Sequence, residues 1–191
     1  MRKFLSAIAV VLWSCGPTDI EESQPSLALI VTLEGEAKVR QPVKLQVRIK
    51  NISNRKVGAV RALDHSDTGW RYPIIKDEVR GPNGKIMTRA ALGGCGNSDS
   101  ILAKHVTVLS PGEEFDPFAE DPYGNNHVSG WIPYVEGRYI VALTIDYSAK
   151  DPAEWNGSIE RRYADQEKVR QILALVPRVK LEAKAEFEVK Q

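Results

Sequence analysis

Cys95 carries the most reactive side chain in the sequence, and it lies among three glycines in Leu92-Gly93-Gly94-Cys95-Gly96-Asn97-Ser98. Glycines around a thiol let backbone amides approach a substrate, and a neighbouring histidine would draw off the proton to give a nucleophilic thiolate. The histidines are His65, His105 and His127. No two share the i, i+2 or i, i+4 spacing that sets two imidazoles on one side of a strand or helix. His65, Cys95 and His127 all fall in expected loops, so the three are candidates for a copper or zinc site, with Met87 nearby. The plainer reading is three unrelated histidines. Glu113, Glu114, Asp116, Glu120 and Asp121 crowd one stretch ahead of Asn125 and Asn126, and such hard oxygen ligands suit Ca²⁺. Their spacing is not that of an Asp-x-Asp-x-Asp-Gly loop, and Pro117 and Pro122 stiffen the backbone, so a solvated acidic loop is expected. The other carboxylates are scattered, and a glycosidase pair needs a defined separation in space that chain spacing does not supply. No catalytic residue, cofactor or metal is assigned, and the chain is read as a non-enzyme.

Aromatic residues form a second group. Tyr123, Trp131, Tyr134, Trp155 and Tyr163 fall in expected loops or at the edges of the segment 148–178. Exposed rings there would stack on sugars or anchor a protein partner. Tyr123, Trp131, Trp155 and Tyr163 are therefore the binding candidates, although loops and helices that cover a core explain them equally well. Trp70 and Tyr72 share one expected strand face, and Tyr139 and Tyr147 sit in strands, where core packing accounts for them. The surroundings of Cys95 contain neither the Thr-Leu-x-Thr-Cys of sortases nor the Ser-x-Gly-Cys-x-Arg of L,D-transpeptidases.

The N-terminus reads as an export signal. Arg2 and Lys3 precede an almost unbroken apolar run, Phe4 to Trp13, which is roughly half the ~20 residues a bilayer span needs. It leads into Leu12-Trp13-Ser14-Cys15, which resembles the lipobox of bacterial lipoproteins, with Trp13 where a small residue is usual. The resemblance implies a signal peptide over 1–14, cleavage before Cys15, and acyl chains (palmitate among them) on its sulfur and nitrogen. Gly16, in place of the Asp tied to inner-membrane retention, implies the periplasmic face of the outer membrane. Ordinary signal cleavage nearby is the alternative. If Cys15 is acylated, Cys95 is unpaired; a Cys15–Cys95 disulfide is the competing account. Each buried CH₂ contributes about 0.8 kcal/mol, so several chains hold essentially permanently.

The full chain has 26 basic and 25 acidic side chains, a balance that argues against a nucleic-acid or polybasic membrane footprint. Residues 15–26 are polar and aperiodic apart from Cys15, which suits a lipidated tether. From Leu27 the dominant pattern has period 2. Leu27, Leu29, Val31 and Leu33 alternate, as do Val43, Leu45, Val47 and Ile49. Asn51-Ile52-Ser53-Asn54 reads as a turn and Val57 to Leu63 as a return strand. Tyr72 to Arg80 and Lys85 to Arg89 flank Gly81-Pro82-Asn83-Gly84, where Asn-Gly would supply the positive φ angles of a tight hairpin. His105 to Leu109, Arg138 to Tyr147 and Val179 to Val189 complete the strands. Val169, Ile172, Leu173 and Val176 fall at helical spacing before Pro177, which predicts a helix of about three turns over 163–176.

Seven or eight short strands with turns between them predict a mainly-β antiparallel sandwich over 27–191, with one helical insertion before the last strand. The stretches VKLQVRIKNISN, EVRGPNGK, LSPGE and EGRYIVAL occur in the order seen in bacterial immunoglobulin-like modules, including those similar to the intracellular proteinase inhibitor of bacilli. By that resemblance Tyr139 is the tyrosine-corner residue, bonding back to nearby backbone. A jelly roll is the alternative. The functional expectation is a membrane-anchored, extracytoplasmic, non-catalytic binding module with a protein or envelope-polymer partner, its specificity placed in 148–178. The alternatives are a periplasmic metal- or small-ligand-binding protein and a thiol enzyme using Cys95. The non-enzyme reading predicts that Cys95 alkylates with iodoacetamide no faster than an ordinary thiol of pKa about 8.5. Rapid modification at pH 6 would bring the thiol enzyme back.

Overall fold

The computed structural model describes residues 25–63, 66–87, 100–119, 131–157 and 165–191. Ten strands and one helix follow in order: β1 Leu27–Leu33, β2 Ala37–Lys38, β3 Leu45–Asn51, β4 Val57–Val60, β5 Ile74–Arg80, β6 Ile86–Met87, β7 Val106–Leu109, β8 Glu114–Phe115, β9 Gly137–Asp146, α1 Gln166–Ile172 and β10 Lys180–Lys190. One sheet has the order β1-β3-β8, a second β2-β10-β9-β5-β6, and β4 and β7 form a separate pair. All pairings are antiparallel except β2 with β10.

Strand alternation sets the two inner faces. Leu27, Leu29 and Val31 on β1 and Leu45, Val47 and Ile49 on β3 are buried, with Leu29 opposite Ile49 and Val31 opposite Val47. On the other sheet Tyr139, Val141, Leu143 and Ile145 of β9 face inward, as do Leu181, Ala183, Ala185 and Val189 of β10. The intervening Lys and Glu of β10 are exposed. Each fully buried aliphatic side chain contributes about 1.5–3 kcal/mol. Small alanines on the inner face of β10 suit the packing of β1 against that strand. The domain is a mainly-β sandwich with, among the described residues, one α-helix before the last strand.

At the start of β9 the Tyr139 hydroxyl donates to the Val135 carbonyl at 3.0 Å, and its ring stacks on Phe187, directly opposite on β10, at 6.0 Å. The preceding Gly137 has φ +125, and a Cβ there would lie 2.8 Å from Pro82 of the β5–β6 turn. That turn differs from the sequence expectation. Gly84 has φ +72 while Asn83 is not in the left-handed region. Gly84 N donates to Gly81 O at 2.9 Å and Gly81 N to Lys85 O at 3.1 Å. This is a three-residue connection with one left-handed glycine, not a two-residue Asn-Gly turn.

Three further expectations are corrected. The strand after the Asn51 turn is β4, and it pairs with β7, not back onto β3. Asn51 is wholly buried, and its Nδ2 donates to Arg55 O at 2.7 Å and Leu109 O at 2.9 Å. That turn carries the chain away from β3, whose free edge β8 takes. Trp70 and Tyr72 precede β5 in a bend instead of sharing a strand face, and Trp70 is exposed. The helix spans seven residues, about two turns, because the chain tightens past Leu173, where Ala174 N and Val176 N donate to Gln171 O and Leu173 O, three residues back. Val169 alone of its apolar stripe is fully buried. Among the described residues no helix is long and apolar enough to cross a membrane.

The two left-handed glycines separate strain from collision. Gly84→Ala, with nothing within 4 Å of the added carbon, should cost about 1 kcal/mol. Gly137→Ala adds a clash with a rigid ring and should cost about 2–3 kcal/mol. Urea unfolding midpoints of the two variants would check the order.

Candidate functional site

Past the end of β9 the chain runs through Ser148 to Lys150 and forms one 3-10 turn, Pro152–Trp155. Asp151 caps it, with Oδ1 accepting from Ala153 N at 2.8 Å, and Pro152 stands where a missing N–H costs nothing. Asp165 caps α1 in the same way, accepting from Glu167 N and Lys168 N at 3.1 Å each. The two short helices pack together. From α1 the chain returns over β4, and Gly58 permits that return. Its N–H donates to Leu175 O at 2.8 Å, while a Cβ there would lie 3.0 Å from Val176 Cγ2.

Trp155 forms the floor beneath these elements. It is buried, its ring centroid 5.7 Å from that of Tyr72 and 6.1 Å from that of Tyr147. The Tyr147 hydroxyl donates to Val60 O at 2.6 Å, tying the floor to β4. The Arg71 side chain, 2% exposed, donates from Nη2 to Trp155 O at 2.9 Å, and Tyr72 N donates to Glu154 O at 2.9 Å. Asn156 Oδ1 accepts from Ile101 N at 3.1 Å. The floor is thus held by side chains and backbone from four separate stretches.

Between the two helices opens a cleft of about 280 Å³. Trp155, Leu173 and Val176 line its apolar part, and Lys150, Arg170 and Arg178 its charged part. Arg170 pairs with Glu167, Nη1 to Oε2 at 3.2 Å. Lys150 and Arg178 make no ion pair among the described residues. Three cations thus line the cleft, while the carboxylates of Asp151 and Glu154 lie on the turn that walls it without being among its lining residues. Among the described residues lining it there is no carboxylate, histidine, cysteine or hydroxyl. The lining is thus apolar on one side and cationic on the other.

The sequence candidates disperse. Cys15, His65, Cys95, Tyr123, His127 and Tyr163 lie outside the described residues. Trp131 and Trp155 do not stand as exposed platforms. Trp131 is 9% exposed, its carbonyl accepting from Val43 N at 2.7 Å, and Trp155 is 2% exposed. Each covers the end of a sheet, where a large ring closes the core. Trp155 still lines the cleft from below. Tyr134 is the exposed ring, at 70%. His105 is buried, and its Nδ1 accepts from Leu102 N at 3.2 Å. Of the acidic stretch, Glu113 accepts from Ser110 N at 2.8 Å, Glu114 pairs with Lys50 at 3.1 Å and Asp116 pairs with Arg48. These carboxylates brace strands β3 and β8. Among the described residues no three of His, Cys, Asp and Glu gather into a metal-binding group.

No family model and no curated protein matches the chain. One similar solved structure is the CARDB domain of the PF1109 protein from Pyrococcus furiosus, crystallised with di-metal ions. It shares 15% identity, over 90% of this chain and 99% of that one, with a TM-score of 0.32. The metal ions are that protein's, and a likeness of this size transfers no property to this chain.

Lys150, Arg170 and Arg178 escaped sequence reasoning. The segment 148–178 holds six basic and five acidic residues, so no charge excess marks it. Period and motif are silent on three cations twenty and eight positions apart.

Tyr147 allows a test of the floor. Burial pushes its phenol well above the ordinary value of 10.0, only partly offset by the bond to Val60. The folded chain keeps the proton that the unfolded chain releases above about pH 10. The contribution of the hydroxyl is therefore full below that pH and falls as pH rises beyond it. Tyr147→Phe should cost about 1–2 kcal/mol at pH 7–9, and the gap to wild type should narrow above pH 10 in urea unfolding.

Proposed function

We propose that this chain is a lipid-anchored, extracytoplasmic binding module without catalytic activity, held by acyl chains on Cys15 at the periplasmic face of an outer membrane. Its contact surface is the end of the sandwich built from 148–178. The carrying observation is the position of the cleft lined by Lys150, Arg170 and Arg178. β2 runs parallel to β10, so β1 starts at the end of the sandwich where β10 starts. Ile52 N donates to Ser26 O at 3.0 Å beside the Asn51 turn, close to β4, on which the return from α1 rests. The chain segment leading from Cys15 thus enters at the end that carries the cleft.

The signal-like run ending in Leu12-Trp13-Ser14-Cys15 supports the anchoring half of this reading. The apolar floor and cationic rim support the binding half, and they favour a small anionic group over a metal ion as the second reading. Cys15→Ala should move the protein from the membrane to the soluble fraction or leave an uncleaved precursor, and globomycin should cause precursor to accumulate. A Cys15→Ala protein that is cleaved normally and still sediments with membranes would remove the lipid anchor.

A further inference from the structure

We infer that the cleft between the 3-10 turn Pro152–Trp155 and α1 binds the phosphate headgroup region of an anionic phospholipid of the membrane to which the chain is anchored. The inference rests on the anchoring and binding reading above and names the ligand of that same surface.

Three features select this chemistry. First, Lys150 and Arg178 are exposed, share one cleft and make no ion pair among the described residues. Two like charges in one concave site repel each other, and a bound anion relieves that repulsion. A planar guanidinium and a flexible ammonium suit two sides of a phosphate. Second, the rim is not the whole site. Leu173 and Val176, partly exposed over the buried Trp155, present apolar surface directly beside the cations. A bare inorganic anion uses only the rim, whereas a glycerophosphate carrying the first carbons of its acyl chains fills both parts. The cleft of about 280 Å³ lies at the small end of the usual ~300–1,000 Å³ of ligand pockets and has room for a headgroup.

Third, reach supplies the source. Cys15 lies twelve residues before Leu27, and a chain extends at most about 3.3–3.6 Å per residue. The end of the domain bearing the cleft therefore stays within roughly 40 Å of the bilayer surface. An anionic headgroup there is present at a high effective concentration, so a weak single site is enough.

The test uses the full chain carrying Cys15→Ala, so that binding is read without acylation. Dihexanoyl phosphatidylglycerol below its micelle concentration, dihexanoyl phosphatidylcholine and inorganic phosphate are titrated separately by calorimetry. The expected result is saturable binding of phosphatidylglycerol, at least tenfold tighter than either of the others. Lys150→Glu/Arg178→Glu should weaken it at least tenfold, while the matched reversal Lys44→Glu/Lys76→Glu, on exposed positions elsewhere, should leave it within twofold. Circular dichroism checks that each variant is folded. The single changes Lys150→Gln and Arg178→Gln serve if the double reversal does not fold, each expected to weaken binding severalfold. Equal affinity for inorganic phosphate, equal loss in the matched control, or no binding of any probe would overturn the assignment. Failure of acylation would instead appear only in the fractionation of Cys15→Ala, so the two ideas fall separately.

Discussion

Burial of Trp155 is the constraint on which the rest of this end of the molecule depends. The indole is enclosed by Tyr72 from the approach to β5 and by Tyr147 from the exit of β9, and its carbonyl receives the guanidinium of Arg71. Taking an arginine out of water costs several kcal/mol unless its donors are met. The bond from Arg71 to the Trp155 carbonyl therefore helps to set where Pro152–Trp155 sits. That bond ties the approach to β5 to the loop leaving β9. The Tyr147 hydroxyl on Val60 extends the same tie to β4, and Gly58 lets the return from α1 lie flat upon it.

The cleft is a by-product of that tie. Two capped helices, too short to hold themselves in water, are fixed by the floor and leave a concavity between them. Its cations come from three places: the strand exit at Lys150, the last turn of α1 at Arg170 and the strand approach at Arg178. The opposite end of the sandwich is built differently. There Tyr139, Phe187, Gly137 and Pro82 close the core by ring stacking and tight backbone approach, which is an architecture of stability.

Much of the fold was legible. β1, β3, β9 and β10 follow the period-2 pattern nearly to the residue, because one inner face of each must be apolar and the outer face of β10 carries charge. Pairing was less legible. Val57–Val60 reads as a strand, yet nothing in Val-Gly-Ala-Val says that its partner is β7; the buried Asn51 side chain decides this through bonds to residues 4 and 58 positions away. The site was legible in location only. The segment 148–178 stands out by departing from the strand pattern, but the sequence leaves open whether its tryptophan is an exposed platform or a ring covering the core. Whether a ring faces solvent depends on Tyr72 and Arg71, more than eighty residues earlier.

The sequence by itself determined what repeats locally: strand alternation, the helical spacing around Val169, the capping aspartates and the turn glycines. Each of these is a short-range matter of side-chain direction or backbone angle. Only the tertiary structure decided that Lys150, Arg170 and Arg178 share one hollow over a buried indole. That convergence is a sum of long-range packing, made by a carbonyl meeting a distant guanidinium and a hydroxyl meeting a distant strand, and no spacing along the chain records it.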